Sequence, residues 1–454
     1  MSATVIWFRD LDKWNIPKIL RLTSALPSGW SSVPIGNLVT QVTERVKVEK
    51  DKEYQLIGVK WYCEGTFHRE TVKGNEISAP YLAPVIPNAF IYNRLFAWKQ
   101  SFAIVPQQHS GFYVSNEFPQ FIVDTSKILP EYLYLIFRLQ KTVHAVLSAS
   151  VGSAAVSRNR FKEEEFLKFE IPVPPLNIQR AIVTRWQQKQ KDAAQAEAQV
   201  TQIEDNLQTQ VFSDLGLRVP ARTQKPKAFL TGWHAFDRWS VSFNQACLNS
   251  VDIEHGKYPV LELGNILSTV QYGTSEKANG RQIGVPVLRI NNIKNGMIDI
   301  SDLKHVPLDG KTKYGLLLQD GDILIIRTSG SRDLVGSCAT FHEPREYVFA
   351  SYLIRLRVEK DKAHPDYISW FINSPLGRQQ IDALSRQIMQ NNINSVELRS
   401  LQIPLPPLDV QRAIVEKVQA SRAETARQRA QTAQIRKEAE SELEALILGT
   451  KKIE

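Results

Sequence analysis

Ile171-Pro172-Val173-Pro174-Pro175-Leu176-Asn177-Ile178-Gln179-Arg180-Ala181-Ile182-Val183 returns 232 residues later as Ile403-Pro404-Leu405-Pro406-Pro407-Leu408-Asp409-Val410-Gln411-Arg412-Ala413-Ile414-Val415, with three of the thirteen positions changed. A period this long is not that of a solenoid; it implies two copies of one domain-sized unit. Each copy also carries local information. Pro172, Pro174 and Pro175 lock φ and exclude helix before Leu176. Beyond them, no proline or glycine interrupts from Leu176 to Leu215.

Working outward, Ile178, Ile182, Trp186, Val200, Ile203, Leu207, Val211 and Leu215 fall mostly at helical spacing, with Ala193, Ala194, Ala196 and Ala198 in the middle. Val410, Ile414, Val418, Ile435, Ala439, Leu443, Leu446 and Ile447 repeat the pattern, and Gly449 closes it. Each run is about 40 residues, or roughly 60 Å of helix. The narrow stripe predicts a coiled-coil seam between two helices, and a two-fold-like relation of the copies predicts that they run antiparallel. Asn177 and Asp409 stand where an N-cap would accept backbone N–H groups. Fainter landmarks keep the same order in both halves: Asp12-Lys13-Trp14-Asn15-Ile16 with Asp237-Arg238-Trp239-Ser240-Val241, Gly36-Asn37-Leu38 with Gly264-Asn265-Ile266, and Pro130-Glu131-Tyr132 with Pro365-Asp366-Tyr367.

The text between landmarks diverges and reads as α+β. Strands are expected over 89–95, 102–105, 121–123, 285–290, 322–327 and 352–358, rich in β-branched and aromatic residues. Short helices are expected after Pro130 and Pro365, with proline in the first turn. Thr223-Gln224-Lys225-Pro226-Lys227 reads as a linker. The expected architecture is two pseudo-symmetric globular domains, 1–175 and 218–407, separated by two long antiparallel coiled-coil helices within 176–217 and 408–454.

The chain has 454 residues, 43% hydrophobic and 23% charged, an ordinary soluble composition. The net charge of +9 is unevenly placed: +4 over 1–176, −1 over 177–217, +5 over 218–402 and +1 over 403–454. Two mildly basic segments suit contact with a polyanion at two places, and the same charge also serves solubility. Three scattered cysteines suit reduced thiols and a cytoplasmic setting. No apolar run of about 18 residues exists, so no membrane span is expected, and Met1 to Asp12 lacks the basic start and apolar core of a signal peptide.

The residues that catalysis would need are missing. No two glycines stand two apart and no G-x-x-x-x-G-K occurs, which removes the usual nucleotide and S-adenosylmethionine loops. The only Pro-Pro pairs lie in the repeated motif, so no Asn/Asp-Pro-Pro-aromatic loop for a flipped adenine is present. No Glu-x-Lys nuclease signature occurs. Cys63 with His68, and Cys338 with His342, are too few ligands for zinc. The expectation is no catalytic residue, no metal and no cofactor bound by this chain.

Polar clusters in turn-like text carry the binding signal. The second half offers Tyr272, Thr274, Ser275 and Lys277, then Arg289 and Asn291, then Arg327, Ser329 and Ser331, then Asn391, Asn392 and Asn394. The first half offers Asn93, Arg94, Lys99, Arg158, Asn159 and Arg160. Arg can bridge guanine O6 and N7, Asn can pair with adenine, and Ser, Thr and Lys hold phosphates. The same residue types also build ordinary turns.

Over essentially its whole length the chain resembles the specificity subunit of type I restriction-modification enzymes. The doubled I-P-[VL]-P-P-L-x-x-Q-R-A-I-V motif leading into a long helix carries the resemblance. So do Tyr272-Gly273-Thr274-Ser275 with Lys277-Ala278, Pro286-Val287-Leu288-Arg289 with Asn295-Gly296, Gly321-Asp322-Ile323-Leu324, Asn373 to Arg378, and Gln390 to Asn394. The first half departs, lacking the Tyr-Gly-Thr-Ser text. The resemblance implies that 1–175 and 218–407 are target-recognition domains, each reading one half of a gapped double-stranded DNA site. It implies docking of two methyltransferase subunits and of restriction subunits. S-adenosylmethionine, ATP and Mg2+ then belong to those partners. Two other readings follow from the residues alone: a DNA methyltransferase or nuclease with divergent motifs, and a coiled-coil assembly protein with no DNA role.

Overall fold

The computed structural model describes residues 22, 26–150, 160–218, 230, 253, 255–384, 386–387 and 391–453. Outside them lie the Asp12 and Asp237 landmarks, the linker at Thr223 to Lys227, Cys247, Arg158, Asn159 and Gln390. The described chain forms two compact units, 1–196 with 430–454 and 197–429.

The repeated motif opens each long helix. Leu176–Asp214 spans 39 residues and Leu408–Ile447 spans 40. Asn177 and Asp409 are not N-caps, because helix begins one residue before each. Pro175 O accepts from Ile178 N and Gln179 N, and Pro407 O from Gln411 N. The rigid proline therefore delivers the chain directly into the first turn, and Asn177 and Asp409 lie exposed within it.

Each unit contains the beginning of one long helix and the end of the other. In the first unit, Ile182, Val183 and Trp186 share a core with Ala439, Leu443, Leu446 and Ile447, and Arg185 pairs with Glu442. In the second, Val211, Phe212 and Leu215 share a core with Ile414, Val415 and Val418. There Glu204 meets Arg429 at 2.7 Å and Asp214 meets Lys417 at 2.6 Å. Residue numbers rise along one helix as they fall along the other, so the pair is antiparallel, as the sequence predicts. Of the four central alanines, Ala193 is buried, while Ala194 and Ala198 are exposed.

The units share one sheet topology. In the first, Val39–Gln41, Gln120–Val123, Phe90–Tyr92 and Phe102–Ile104 lie side by side in that order, all antiparallel. In the second, Leu267–Tyr272, Leu353–Val358, Ile323–Ile326 and Cys338–Thr340 repeat it. A second match is the pairing of Val33 with Ile171 and of Leu261 with Ile403, which ties the strand that opens each proline motif into its own unit. All six expected strands are found, and short helices begin at Pro130 and Pro365. The cores differ in chemistry. The first packs Phe90, Phe102, Phe121, Phe137 and Phe166 ring against ring, with centroids as close as 4.3 Å. The second fills the same sheet face with Ile323, Ile325, Ile354 and Leu356. Each such buried side chain contributes about 1.5–3 kcal/mol.

The motif glutamine explains why the repeat is so exact. Gln179 is fully buried. Its Oε1 accepts from Leu129 N at 2.8 Å, and its Nε2 donates to Pro174 O at 2.8 Å and Lys127 O at 3.0 Å. Gln411 does the same with His364 N, Pro406 O and Lys362 O. Tyr132 and Tyr367 donate their hydroxyls to Pro172 O and Pro404 O. In both units one amide thus fastens the start of the long helix to the start of a proline-led short helix.

The remaining structure is not shared. The first unit adds a five-stranded sheet that includes the hairpin Glu53–Val59 and Thr66–Lys73. The second adds small sheets, one pairing Thr328–Ser329, Asn391–Asn392 and Arg386–Gln387. Cys63 and Cys338 are free and buried, and burial pushes their thiols up to about 12 and about 11.

One titrating group links the second unit to pH. His342 Nε2 lies 3.0 Å from Asp366 and Nδ1 2.7 Å from Asp320. Hydrogen bonding to Asp366, then to Asp320, pushes the imidazole up to about 9. A raised folded value means the stabilisation is complete below the ordinary value near 6.5 and is lost as pH rises to about 9. The ring is half exposed, so solvent screening keeps the effect modest. Thermal unfolding of the second unit is expected at lower temperature at pH 9 than at pH 6.5, and His342→Asn should flatten that slope.

Candidate nucleic-acid interface

In the second unit the backbone gathers three of the four sequence clusters. Tyr272 ends a strand and is paired with Ile354. Thr274 N donates to Phe349 O and Ser351 N to Thr274 O, which folds Tyr272–Lys277 against 349–351. Arg327 leaves the strand on the far side of Leu353–Val358, with its N–H on Tyr352 O and its carbonyl taking Ile393 N. Thr328 and Ser329 then pair with Asn392 and Asn391. The clusters meet at Tyr272. Its hydroxyl accepts from Ser395 N at 3.2 Å, and the Arg327 guanidinium lies 4.9 Å from its ring centroid. Tyr272 is 40% exposed and Tyr352 55% exposed beside it.

Not every side chain there is available. Thr274 Oγ1 accepts from Glu276 N, and Ser329 Oγ from Ser331 N. Asn394 caps the helix Ser395–Arg399, taking Val396 N and Glu397 N. Asn392 has a buried Oδ1 with no partner among the described residues, and the Asn391 side chain is outside the description. Ser275, Lys277 and Ser331 are exposed, with no side-chain partner among the described residues. Arg289 stands apart: it donates to Asp302 O and Oδ2, both at 3.1 Å, and the following Asn291 is exposed.

The first unit places its residues on the corresponding loop but holds them differently. Phe161 N donates to Arg94 O as Ile393 N donates to Arg327 O, and 161 and 393 are again 232 apart. Arg94 and Arg327 are therefore structural counterparts. Arg94, however, is gripped by both oxygens of Glu163. Asn93 Oδ1 turns the chain by accepting from Leu95 N at 3.0 Å. Arg160 pairs with Glu117 at 3.0 Å. Lys99 lies 3.5 Å from the Trp61 ring and 5.1 Å from Trp98.

Exposed aromatics that are not among the sequence-based candidates lie beside Lys99. Trp61 and Tyr62 are 42% and 59% exposed at the tip of the 53–73 hairpin. Tyr62 and Cys63 both take positive φ, 55° and 53°. Such backbone costs on the order of 1 kcal/mol or more for each non-glycine residue. It is held by Tyr62 N on Lys99 O and Cys63 N on Gln100 O. The signal available was Lys60-Trp61-Tyr62, a cation and two large rings ahead of Gly65. Exposed rings beside lysine can stack on bases or sugars while the cation meets phosphate. Among the described residues no group of three or more His, Cys, Asp or Glu could hold a metal ion. No helix among them is long and apolar enough to cross a membrane.

Comparison with known proteins gives a consistent outcome. The family model described as the type I restriction modification DNA specificity domain matches twice, over residues 27–204 and 256–437. The type I restriction enzyme EcoKI specificity subunit of Escherichia coli (strain K12) is 28% identical over 271 residues, covering 59% of this chain and 53% of that protein. The StySPI specificity subunit of Salmonella potsdam is 33% identical over 178 residues, covering 39% of this chain and 38% of that protein. The match thus spans about half the length of the first relative and less of the second. A solved chain from work on complex assembly and conformational transition of the type I R-M system superposes with a TM-score of 0.61. It is 16% identical, and the match covers 94% of this chain and all of that one, which is a likeness of fold.

Proposed function

The chain belongs to the type I restriction modification DNA specificity family, and from that premise we propose that it reads a two-part double-stranded DNA sequence with an unread gap. Each unit reads one part, over 1–175 and 218–407. The long helices in 176–217 and 408–454 set the interval between the parts. Two methyltransferase subunits dock on this chain, and restriction subunits join them. S-adenosylmethionine, ATP and Mg2+ are used in those partners, and this chain contributes recognition without catalysis, in the cytoplasm.

The observation that carries the reading is the combination of one shared frame with unlike loops. Strand order, glutamine clamp and helix start are the same in both units. The loop after Phe90–Tyr92 carries Lys99, which meets Trp61 of the added hairpin, and the loop after Ile323–Ile326 opens with Arg327, which meets Tyr272. A repeated frame that carries different polar and aromatic loops and different added sheets suits reading two different sequences. A pure assembly protein has no use for that variation.

The test is DNA binding by the purified full chain across a salt series. Contacts with several phosphates predict that affinity falls steeply, by about a thousandfold or more between 50 and 200 mM salt. Salt-independent binding, or none, contradicts the proposal. Methyl transfer or strand cleavage by the chain alone would favour the divergent-enzyme reading.

A further inference from the structure

The counterpart arginines Arg94 and Arg327 occupy the same place in the two units and are held in opposite ways. Each follows the third strand in the order of the shared sheet, Phe90–Tyr92 or Ile323–Ile326, and each carbonyl receives the N–H of a residue at the 232 offset. At that same offset Glu163 corresponds to Ser395. In the first unit the Glu163 carboxylate engages Nε and Nη2 of Arg94 side-on, and both side chains are mostly buried. In the second unit serine stands there and supplies no carboxylate. Its N–H instead fixes the Tyr272 hydroxyl, and Tyr272 offers its ring face to Arg327.

Among the described residues no carboxylate pairs with the Arg327 head, which is oriented by the Tyr272 ring without being neutralised. Its Nε is buried with no partner among the described residues. The Nη1/Nη2 edge remains as the part able to form new bonds. A planar cation backed by an aromatic ring is pre-organised, so little freedom is lost when it binds. Two parallel N–H groups on that edge match two acceptors in one plane. In the DNA major groove guanine O6 and N7 provide this pair, and adenine does not. Arg327 N donates to the carbonyl of the exposed Tyr352, and the loops that carry Arg327 and Tyr272 also offer the exposed Ser331 and Lys277, which suit sugar and phosphate contact.

We propose that Arg327, backed by Tyr272, is the residue through which the second unit selects a guanine, and that the equivalent Arg94 is withdrawn from base reading by Glu163. The inference rests on the proposal that the chain binds a two-part DNA sequence. It adds a base identity, a residue, and an asymmetry between the units.

The experiment selects bound sequences from a randomised duplex pool with the full chain and three variants, Arg327→Gln, Arg327→Lys and Arg94→Gln. Thermal unfolding of each variant is followed in parallel. Arg327→Gln should relax one G·C position by roughly ten- to a hundredfold in the half-site that is retained when residues 1–170 are exchanged. Arg327→Lys should keep most of the overall affinity but lose the same discrimination, because a point charge cannot bridge O6 and N7. Arg94→Gln should lower the stability of the first unit and relax no position. If lysine restores the preference, Arg327 only holds a phosphate and the inference fails. It also fails if the relaxed position is A·T, or if no position relaxes in a folded Arg327→Gln chain. If the unaltered chain selects no sequence at all, the proposed function itself is wrong, which is a separate result.

Discussion

Gln411→Leu should destabilise the second unit by about 3–4 kcal/mol, and Gln179→Leu the first by a similar amount. Each glutamine is fully buried and satisfies one backbone donor and two backbone carbonyls. Leucine fills the same space but leaves those groups without partners. Each stranded buried group costs about 1–3 kcal/mol, partly relieved by relaxation. For units of this size the shift is roughly 10 °C in the corresponding transition. Tyr367→Phe, which removes one bond to Pro404 O, should cost only about 1 kcal/mol. Calorimetry of the full chain checks both, because each substitution should move one transition and spare the other. Equal small effects from the leucine and phenylalanine substitutions would show that the amide is not the fastener.

Exchanging residues 1–170 for the corresponding segment of another member of the family should change one part of the recognised sequence completely and leave the other part and the gap intact. The divergent loops of the first unit, 60–65 and 93–101, lie inside the exchanged segment. The second unit's Tyr272 and Arg327 clusters lie outside it, as do both long helices and the seam between them. Among the contacts that the exchange must rebuild is the clamp, since Gln179 stays while its partners Leu129 and Lys127 are replaced. Those partners are backbone groups, so any donor that preserves the short helix start can supply them.

The sequence showed the frame more clearly than the reading surface. Thirteen near-identical residues located both long helices, because proline and helical periodicity act locally. The same stretch contained Gln179 and Gln411 without revealing their task, since their partners lie about 50 residues away. The hairpin at 53–73 went unrecognised. Thr66–Lys73 is a polar strand, mostly exposed or half-exposed, with no alternation to read. Its tip carries the two exposed rings that belong beside Lys99. At the site, residue type alone could not separate turn chemistry from binding chemistry. Asn394 caps a helix and Asn93 closes a turn, whereas Ser275 and Lys277 stand open. Nor could it separate Arg94 from Arg327, whose difference is made by Glu163 and Tyr272.

The most direct test of the account is to determine the sequence selected from a randomised duplex pool by the intact chain, beside that selected by the chain with residues 1–170 exchanged. Two specified blocks around an unspecified gap are expected, with one block replaced and the other unchanged on exchange. A single uninterrupted block, or the alteration of both blocks together, would contradict it.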